Sequence, residues 1–492
     1  MINLNKNINI FALTDSHQEA RKLCALFSLI EQNTFERGKN TLICDCGDLF
    51  KGIYDRDICV ESYLRLRKSL PEAKIVMALG NNDFGFNLES LQYLQKTASI
   101  FNQSNIHLLC ANLYEEDTNK RPKWVDPYIL LDIDGKKIML TAFCINYIKL
   151  QKYKLRLDNT AQSFIDLSDT IKHIAPDLLI ILNHDLYNNS LKLAELAEKS
   201  GIRVDLMIGG HEHSPVETNE EKHIYYPLAF NKNMLEFSCE FKENKPQISF
   251  QKEYISKGIV PNSVYLPFLE EYEQKSGLNI EVARSTINLE KRYSDPCSLG
   301  TFIADLMKQE AKTDIGIIST GYTSHALRFE KDKILTYYNL ERALSAEVVL
   351  QTMVLHSSDL RDIFNNALRN RYIQKSGNTR FLQCSQNITI VCAKNADNWG
   401  TVRQIYINGN KLLDDNAEPH DKNETFTCAL DPYVASGELG FDVLRKLPKE
   451  TVMHNNQLVR IKDLFFRAIK DAPNKYPEGY EYPKFKLIDE SL

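Results

Sequence analysis

From Ile8 to about Tyr254, short apolar segments alternate with longer segments of helical periodicity, and this alternation limits the fold more than any other feature of the sequence. The short segments have the length of single strands, whereas Gln18–Thr34 and Asn87–Phe101 repeat apolar residues at helical spacing. Such an alternation predicts an α/β domain built from layered sheets. The predicted strands are Ile8–Leu13, Thr41–Cys44, Lys74–Leu79, Ile138–Phe143, Leu178–Leu182 and Leu206–Ile208.

The rest of the chain follows other patterns, which predict further segments. After Tyr254 the sequence is charged and helical, and an acidic cluster there is typical of a solvated helix face. From about Lys291, helical patterns mix with β-rich runs, which indicates a separate α+β domain. Prolines after Ala472 make the C-terminal tail unsuited to a core element, so we expect it to pack along the surface. The predicted divisions are residues 1–254, a helical linker 255–290, a second domain 291–471 and a tail 472–492.

The composition excludes several classes of protein. The chain of 492 residues has 60 Lys and Arg against 65 Asp and Glu, a net charge of −5, and no block rich in Lys or Arg. Such a chain lacks the electrostatic surface that duplex nucleic acid or an anionic membrane requires, so we expect a small substrate. Eleven scattered cysteines without a CxxC pair and a polar N-terminus predict a reduced, cytoplasmic protein with no membrane segment. The oligomeric state stays open.

Carboxylate, amide and imidazole side chains follow five of the predicted strands, at the point where each strand ends. Because ligands bind at the carboxyl ends of strands in open α/β sheets, these loops can converge on one site. Asp and His suit Mn, Fe or Zn, and one carboxylate can bridge two cations about 3.5–4 Å apart. Each element alone is more typical of a turn or a helix cap, but the ordered set predicts a centre for two metal ions. The elements are Asp15-Ser16-His17, Gly47-Asp48, Gly80-Asn81-Asn82-Asp83, Asn183-His184 and Gly209-Gly210-His211-Glu212-His213.

These elements resemble the motifs of the calcineurin-like metallophosphoesterases, which read D-x-H, G-D, G-N-H-D/E, H and G-H-x-H. Within that superfamily the sequence is similar to the branch of 5′-nucleotidases and UDP-sugar hydrolases, through Ala111-Asn112-Leu113 and three weaker segments in the second half. The resemblance, over about residues 8–470, implies a four-layer metallophosphoesterase β-sandwich flanked by helices, followed by an α+β 5′-nucleotidase-like domain. The weaker segments are Cys297–Asp305, Arg380–Ser385 and Tyr433–Phe441.

The resemblance implies a role for each residue at the metal positions. Asp48 stands at the position of the bridging carboxylate. The implied cofactors are two divalent ions of Mn, Zn, Fe or Co, and the implied nucleophile is a hydroxide that both ions activate. The other metal positions carry Asp15, His17 and His213 for one ion and Asn81, His184 and His211 for the other.

The sequence departs from the family pattern beside these ligands. The family's G-N-H-E-F-D carries a His and an Asp that orients it; here Asn82 stands in place of the His and Gly85 in place of the Asp. Asn82, the residue at this catalytic position, can donate a neutral hydrogen bond but offers little help to a departing alkoxide. The departure favours phosphodiesters or activated leaving groups over plain phosphomonoesters.

The nucleotide pocket of the family is altered as well. Asp295 and Ser324 occupy positions where the family has Arg residues that contact phosphate and sugar, and Leu439 replaces an Asp that binds ribose. Two aromatic side chains stack on the base in the family, and Tyr433 fills one of these positions. Tyr433 is therefore a candidate for binding substrate, with a place in the core as the alternative.

The sequence as a whole predicts a divalent-metal-dependent phosphoester hydrolase that is 5′-nucleotidase-like and acts on a nucleotide or a related small phosphorylated metabolite. Two alternatives stay open. One is a phosphodiesterase that lacks monoesterase activity, and the other is a catalytically degraded metal-binding regulatory protein.

Overall fold

The computed structural model divides into two compact units, Met1–Tyr272 and Glu273–Leu492. This division lies within the predicted linker 255–290, and the predicted domain boundaries themselves stay predictions. All eleven cysteines are buried and free, and no helix in the described part of the chain is long and apolar enough to cross a membrane. The described residues are 7–37, 40–50, 56–85, 88–146, 150–213, 215–216, 218–243, 245–277, 279–292, 295–322, 329, 333–344, 348–369, 381–395, 400–414, 416, 418–421, 424–437 and 440–491.

The first unit alternates strands and helices as the sequence predicts, with boundaries that differ by up to three residues for the predicted elements. Its strands are β1 (Ile8–Leu13), β2 (Thr41–Asp45), β3 (Lys74–Ala78), β4 (Ile106–Leu109), β5 (Leu113–Glu115), β6 (Tyr128–Ile133), β7 (Lys136–Cys144), β8 (Leu155–Leu157), β9 (Leu178–His184), β10 (Leu206–Gly210), β11 (Ile224–Tyr225), β12 (Asn233–Lys242) and β13 (Lys245–Ile255). Its helices are α1 (Ala20–Arg37), α2 (Arg56–Ser69), α3 (Leu88–Gln103), α4 (Thr160–Ile174), α5 (Tyr187–Lys199) and the start of α6 (Leu266–Lys275).

Two sheets organise the first unit and bring the ends of the ligand-bearing strands to the same level. The six-stranded sheet has the order β13-β12-β1-β2-β3-β4, and the five-stranded sheet has the order β11-β10-β9-β7-β6. In the first sheet, Leu13 lies beside Asp45, which lies beside Met77, on three parallel strands. In the second sheet, His184 lies between Cys144 and Gly210, again on parallel strands. The loops that follow these strands therefore leave each sheet side by side.

Apolar side chains cover both faces of the central strands. Ile10 and Ala12 of β1 join a core that contains residues of both sheets, whereas Phe11 and Leu13 join the core beneath α1, α2 and α3. A further core packs the outer face of the second sheet against α4 and α5. Because parallel strands that are buried on both faces read as continuous apolar runs, Leu178–Leu182 carries no polar alternation. The four-layer arrangement predicted for this domain is confirmed.

The second unit is an α+β domain, as predicted, and its described residues form two principal sheets. The five-stranded sheet has the order β19-β16-β23-β18-β24 and the four-stranded sheet the order β22-β21-β20-β28. Its strands are β14 (Glu281–Arg284), β15 (Ile287–Asn288), β16 (Ile315–Ser319), β17 (Ile334–Thr336), β18 (Gln351–His356), β19 (Leu382–Cys384), β20 (Ile388–Lys394), β21 (Gly400–Ile407), β22 (Asn410–Lys411), β23 (Thr425–Leu430), β24 (Glu450–Thr451), β25 (Met453–His454), β26 (Gln457–Leu458), β27 (Tyr480–Glu481) and β28 (Lys486–Asp489). Its helices are α7 (Ser298–Ala311), α8 (Tyr337–Ala343), α9 (Ser357–Leu368), α10 (Pro432–Ala435) and α11 (Ile461–Lys475).

The C-terminal tail differs from the expectation that it packs only along the surface. Its strand β28 pairs with β20 and forms one edge of the four-stranded sheet. The ring of Tyr482 is buried, lies 4.9 Å from the ring of Phe302, and its hydroxyl donates to Asp305 at 2.8 Å. Pro473 falls in the last turn of α11, where it lacks the N–H that would donate to the carbonyl of Ile469, and the helix ends two residues later. The prolines are therefore compatible with a segment whose tyrosines supply buried aromatic area.

Candidate metal centre

Strained backbone marks the loops that carry the predicted ligands. Asp15, His17, Asp48 and His211 all have left-handed φ angles, of 48°, 44°, 57° and 76°. A left-handed conformation is uncommon for residues other than glycine, although Asp and His adopt it more readily than most, and a group of four such residues persists only where the surrounding structure favours it. Because such strain concentrates at functional sites, the geometry of these loops points to a constraint beyond folding.

Four of the predicted ligands form a first cluster, made of Asp15, His17, Asp48 and His213. One ligand atom from each lies within 4.8 Å of all the others. The Nε2 atoms of His17 and His213 are 2.9 Å apart, and they lie 3.4 and 3.3 Å from Oδ1 of Asp15. This oxygen is buried and makes no hydrogen bond to any residue that the structure describes. Imidazole nitrogens that converge on an unsatisfied carboxylate oxygen fit a divalent cation.

The remaining predicted ligands form a second cluster, made of Asp48, Asn81, His184 and His211. Oδ1 of Asn81 lies 2.8 Å from Nδ1 of His211 and 3.3 Å from Nε2 of His184. Oδ2 of Asp48 lies 3.4 Å from Nε2 of His184 and 3.7 Å from Nε2 of His17. One carboxylate oxygen of Asp48 is thus adjacent to both clusters. All seven residues predicted at metal positions are brought together, although their roles as ligands stay predictions.

Hydrogen bonds to the backbone orient the ligand side chains. Nδ1 of His184 lies 2.7 Å from the carbonyl oxygen of Cys46. Because a carbonyl can only accept, Nδ1 carries a proton, and Nε2 is the ring nitrogen that faces Asp48 and Asn81. Oδ2 of Asp15 accepts hydrogen bonds from the His211 amide at 2.9 Å and from its neighbouring threonine hydroxyl at 2.7 Å. These contacts orient Nε2 of His184 and Oδ1 of Asp15 toward the other cluster residues.

Close packing of the loops requires glycine at two positions. A Cβ atom on Gly80 would lie 2.1 Å from Oδ1 of Asp48, and one on Gly210 would lie 2.7 Å from Nδ1 of His184. Real Cβ atoms do not approach other atoms so closely. The side chains of Asp48 and His184 can therefore occupy their positions only because Gly80 and Gly210 have no Cβ. The glycines quoted in the sequence motifs thus allow the backbone to approach the clusters.

Asp83 is a further residue of these loops, and the sequence motifs assign no role to it. Its carboxylate is buried and accepts hydrogen bonds from the backbone amides of Asp48 and Phe50, both at 3.0 Å, and of Gly80 at 2.8 Å. Asp83 therefore ties the loop after β2 to the loop after β3. Its place in the Gly80-Asn81-Asn82-Asp83 segment was the sequence feature that could have identified it. Only the folded chain shows which backbone amides donate hydrogen bonds to it.

The pKa values of the cluster residues reflect burial and mutual attraction. Burial opposes ionisation of Asp15 and Asp48, yet neighbouring imidazoles hold the pKa of each carboxyl well below its usual range. Burial also opposes a charge on His184, but Asp48 raises the pKa of that imidazole to about 10. Burial and the nearby His184 lower the pKa of His211 to about 4. The carboxylates are thus ionised at neutral pH, the form in which they bind cations.

Asn82, which stands at the catalytic position of the family His, contacts Asp48. Its backbone nitrogen donates to Oδ1 of Asp48 at 2.7 Å, and Nδ2 donates to Oδ2 at 2.6 Å. Gly85 has a left-handed φ of 64°, and a Cβ atom there would lie 2.2 Å from Cβ of Ser90. The side chain of Ser90 thus occupies the space that an Asp at position 85 would need.

The second unit holds the candidate substrate-binding residue. Tyr433 is half-buried, and its ring is perpendicular to that of Tyr322, with 6.1 Å between centroids. Both its backbone amide and that of Ser319 donate to the buried carboxylate of Asp431. Its role stays a prediction, and Ser324 and Leu439 lie outside the described residues. Asp295 is described and half-buried, and its carbonyl accepts from a glutamine side chain at 2.9 Å.

Each of the two units matches a known protein family in sequence. Residues 8–215 match the calcineurin-like phosphoesterase family, and residues 277–446 match the C-terminal domain of 5′-nucleotidase. The chain is a calcineurin-like phosphoesterase with a 5′-nucleotidase C-terminal domain. The predicted membership of this family is confirmed, and the family match supports a hydrolase that acts on phosphoester bonds.

Relatives of this phosphoesterase are distant in sequence. An apyrase of Aedes albopictus is 21% identical over 458 residues, which cover 83% of this chain and 77% of the apyrase. The endonuclease YhcR of Bacillus subtilis is 22% identical over 353 residues, covering 66% of this chain and 28% of the endonuclease. The crystal structure of a 5′-nucleotidase precursor from Thermus thermophilus superposes with a TM-score of 0.74 at 16% identity, covering 98% of this chain and 99% of that one. At this identity the superposition shows a shared fold.

Proposed function

We propose that this phosphoesterase hydrolyses a phosphoester in a nucleotide or a related small phosphorylated metabolite, and that it depends on two divalent metal ions. The observation that carries the proposal is the position of Asp48, whose Oδ2 is adjacent to an imidazole of the first cluster and to one of the second. A single carboxylate between two groups of ligands is the arrangement that a two-metal site requires.

The first cluster would hold one cation and the second cluster the other, with Asp48 shared between them. Carboxylate and imidazole ligands suit Mn, Zn, Fe or Co. Bound cations of this kind activate water near neutral pH and neutralise the charge that develops on phosphoryl oxygens. The chain contributes the preorganisation, because the backbone contacts of Asp15 and His184 hold the ligand atoms in place before substrate binds.

The hydrogen bonds of Asn82 favour a phosphodiester or an activated phosphomonoester as the second candidate substrate class. Both the backbone and the side-chain amide of Asn82 donate to Asp48, and an amide does not act as a general acid. A poor leaving group would therefore depart without a proton donor at this position. The relatives' names include apyrase, 5′-nucleotidase and endonuclease, which supports phosphoester chemistry without selecting a substrate.

A metal-supplemented hydrolysis screen tests the proposal. The substrates are bis-p-nitrophenyl phosphate, p-nitrophenyl phosphate, nucleoside monophosphates and UDP-sugars, each with Mn²⁺, Zn²⁺ or Co²⁺ and with excess chelator. We expect metal-dependent turnover that Asp48→Asn abolishes. Asp205→Asn is the matched control, because this buried carboxylate pairs with the Leu179 amide and Arg203, away from both clusters. Metal-independent turnover, or turnover that survives in Asp48→Asn, would contradict the proposal.

The same screen separates the candidate substrates. Turnover of bis-p-nitrophenyl phosphate without turnover of nucleoside monophosphates would identify a phosphodiesterase. Rapid turnover of a nucleoside monophosphate would show that the side chain at position 82 does not limit the departure of an alkoxide. Metal binding without turnover of any substrate would favour the regulatory alternative.

A further inference from the structure

The loop between β11 and β12 contains a phenylalanine in a conformation that phenylalanine rarely adopts. Phe230 has a φ of 67°, and the next residue, Asn231, has a φ of 49°. A left-handed backbone is unfavourable for a bulky side chain, so the surrounding contacts must impose it. Backbone outliers of this kind are concentrated at functional sites.

Hydrogen bonds tie this loop to the loop that carries Asp15. The backbone amide of Phe230 donates to the carbonyl of Asp15 at 2.7 Å. The hydroxyl of Ser16 donates to Oδ1 of Asn231 at 3.0 Å, and Nδ2 of Asn231 donates to the carbonyl of Glu19 at 3.3 Å. The two loops are far apart in sequence, yet they are locked together around the first cluster.

The ring of Phe230 packs against two of the four residues in the first cluster. Its centroid lies 5.1 Å from the imidazole of His17 and 5.2 Å from that of His213, and the two imidazoles are 4.7 Å apart. The three rings thus form a triangle in which each contacts the other two. Phe230 is only 6% exposed, so its ring also closes this side of the cluster to solvent.

We propose that Phe230 is a positioning residue for the first cluster: its ring fixes the orientation of the His17 and His213 imidazoles and thereby raises the affinity of that cluster for a divalent cation. The inference rests on the proposed metal centre. Groups that orient metal-ligating histidines change metal affinity by about 10–100-fold when they are replaced. The hydrogen bonds that tie this loop to the Asp15 loop keep the left-handed backbone at Phe230 and so hold the ring against the imidazoles.

Titration with Co²⁺ tests the role of the ring, read by calorimetry and by the visible absorption band of the bound ion. Phe230→Leu keeps apolar bulk and the same unfavourable φ but removes the ring, and Phe230→Met is a second variant with a more adaptable side chain. The control is Phe164→Leu, since Phe164 is fully buried in the core beneath α4 and lies outside both clusters. Thermal melts of the metal-free proteins report folding separately from affinity.

We expect both Phe230 variants to weaken one class of Co²⁺ site by about 10–100-fold and to shift its absorption band, while the other class keeps its affinity. Phe164→Leu should bind Co²⁺ as the wild type does. If the Phe230 variants bind Co²⁺ as tightly as Phe164→Leu does, the positioning role is refuted, whatever their melting temperatures. A wild-type protein that binds no Co²⁺ would refute the proposed metal centre itself.

Discussion

Asn82 donates two hydrogen bonds to Asp48, from its backbone nitrogen to Oδ1 at 2.7 Å and from Nδ2 to Oδ2 at 2.6 Å. Both carboxylate oxygens are therefore oriented by one residue. Because the same Oδ2 is adjacent to His17 and His184, the orientation of Asp48 determines how the two clusters meet. The residue at the family's catalytic position thus acts on the shared carboxylate in this chain.

Removing the side-chain amide should weaken this arrangement. In Asn82→Ala the backbone hydrogen bond stays and the side-chain bond is lost, and a hydrogen bond to a charged group contributes roughly 1.5–3 kcal/mol. We expect metal-dependent turnover to fall by about 10–100-fold, measured with the best substrate of the screen at saturating metal. Asn102→Ala, an exposed asparagine at the end of α3, is the control. Equal rates in both variants would show that the side-chain contact does not matter.

Rebuilding the family's His and Asp should fail for a steric reason. In a protein with Asn82→His and Gly85→Asp, the new Cβ at position 85 would lie 2.2 Å from Cβ of Ser90. Asp tolerates a left-handed backbone better than most residues, so Ser90 is the obstacle. We expect the double variant to lose roughly 1–3 kcal/mol of unfolding free energy in urea titrations.

Adding Ser90→Gly to the double variant should restore part of that stability. Monoesterase activity should be sought in the resulting triple variant, because the Asp at position 85 then has room. The recovery should be incomplete, because glycine costs about 1 kcal/mol within a helix and the Ser90 hydroxyl accepts from Arg56 at 2.7 Å. A double variant as stable as the wild type would show that Ser90 moves aside without cost.

Metal content is the direct measure of the two clusters. After loading with Mn²⁺ and removal of free ions, elemental analysis of the wild type should give close to two ions per chain, and Asp48→Asn should lose most of them. Asp48 is adjacent to both clusters, so Asp48→Asn replaces an anionic ligand of each by a neutral amide and raises the repulsion between the cations. Chelation should then lower the melting temperature of the wild type more than that of the variant. A wild type without bound metal would end the two-metal proposal.

Asp431 should make the stability of the protein depend on pH. Burial raises the pKa of this carboxyl to about 6, although three backbone amides favour its ionised form. The folded protein binds the proton more tightly than the unfolded chain, whose aspartates titrate near 3.9. The extra stability that the tightly bound proton gives the folded protein is complete below about pH 4 and is lost as the pH rises through 6.

Urea titrations of the wild type and of Asp431→Asn, at pH 4.5 and 7.5, measure this contribution. The wild type should lose roughly 2 kcal/mol more unfolding free energy between these values than the variant does. The comparison cancels groups that titrate in both proteins. An identical pH dependence would show that Asp431 has no raised pKa.

The local sequence was sufficient to predict the strands and the polar residues that follow their carboxyl ends. Whether Leu178–Leu182 forms a buried strand depends on the side chains of that segment, and the parallel sheet then places His184 at the carboxyl edge. The seven predicted metal positions converge for the same reason. They follow the ends of strands, and the apolar pattern of the sequence shows where those strands end.

Contacts between distant segments were decided only by the tertiary structure. Phe230 reaches His17 and His213 because strand β12 pairs beside β1, and no local pattern predicts a left-handed phenylalanine there. Likewise, Tyr482 enters a core, although the prolines of its own segment predict a place on the surface. Periodicity records which face of an element is apolar, whereas the partner that covers this face is chosen by the packing of the whole chain. The sequence by itself thus determined the layered fold and the residues at the strand ends, and the packing alone decided which side chains hold those residues in place.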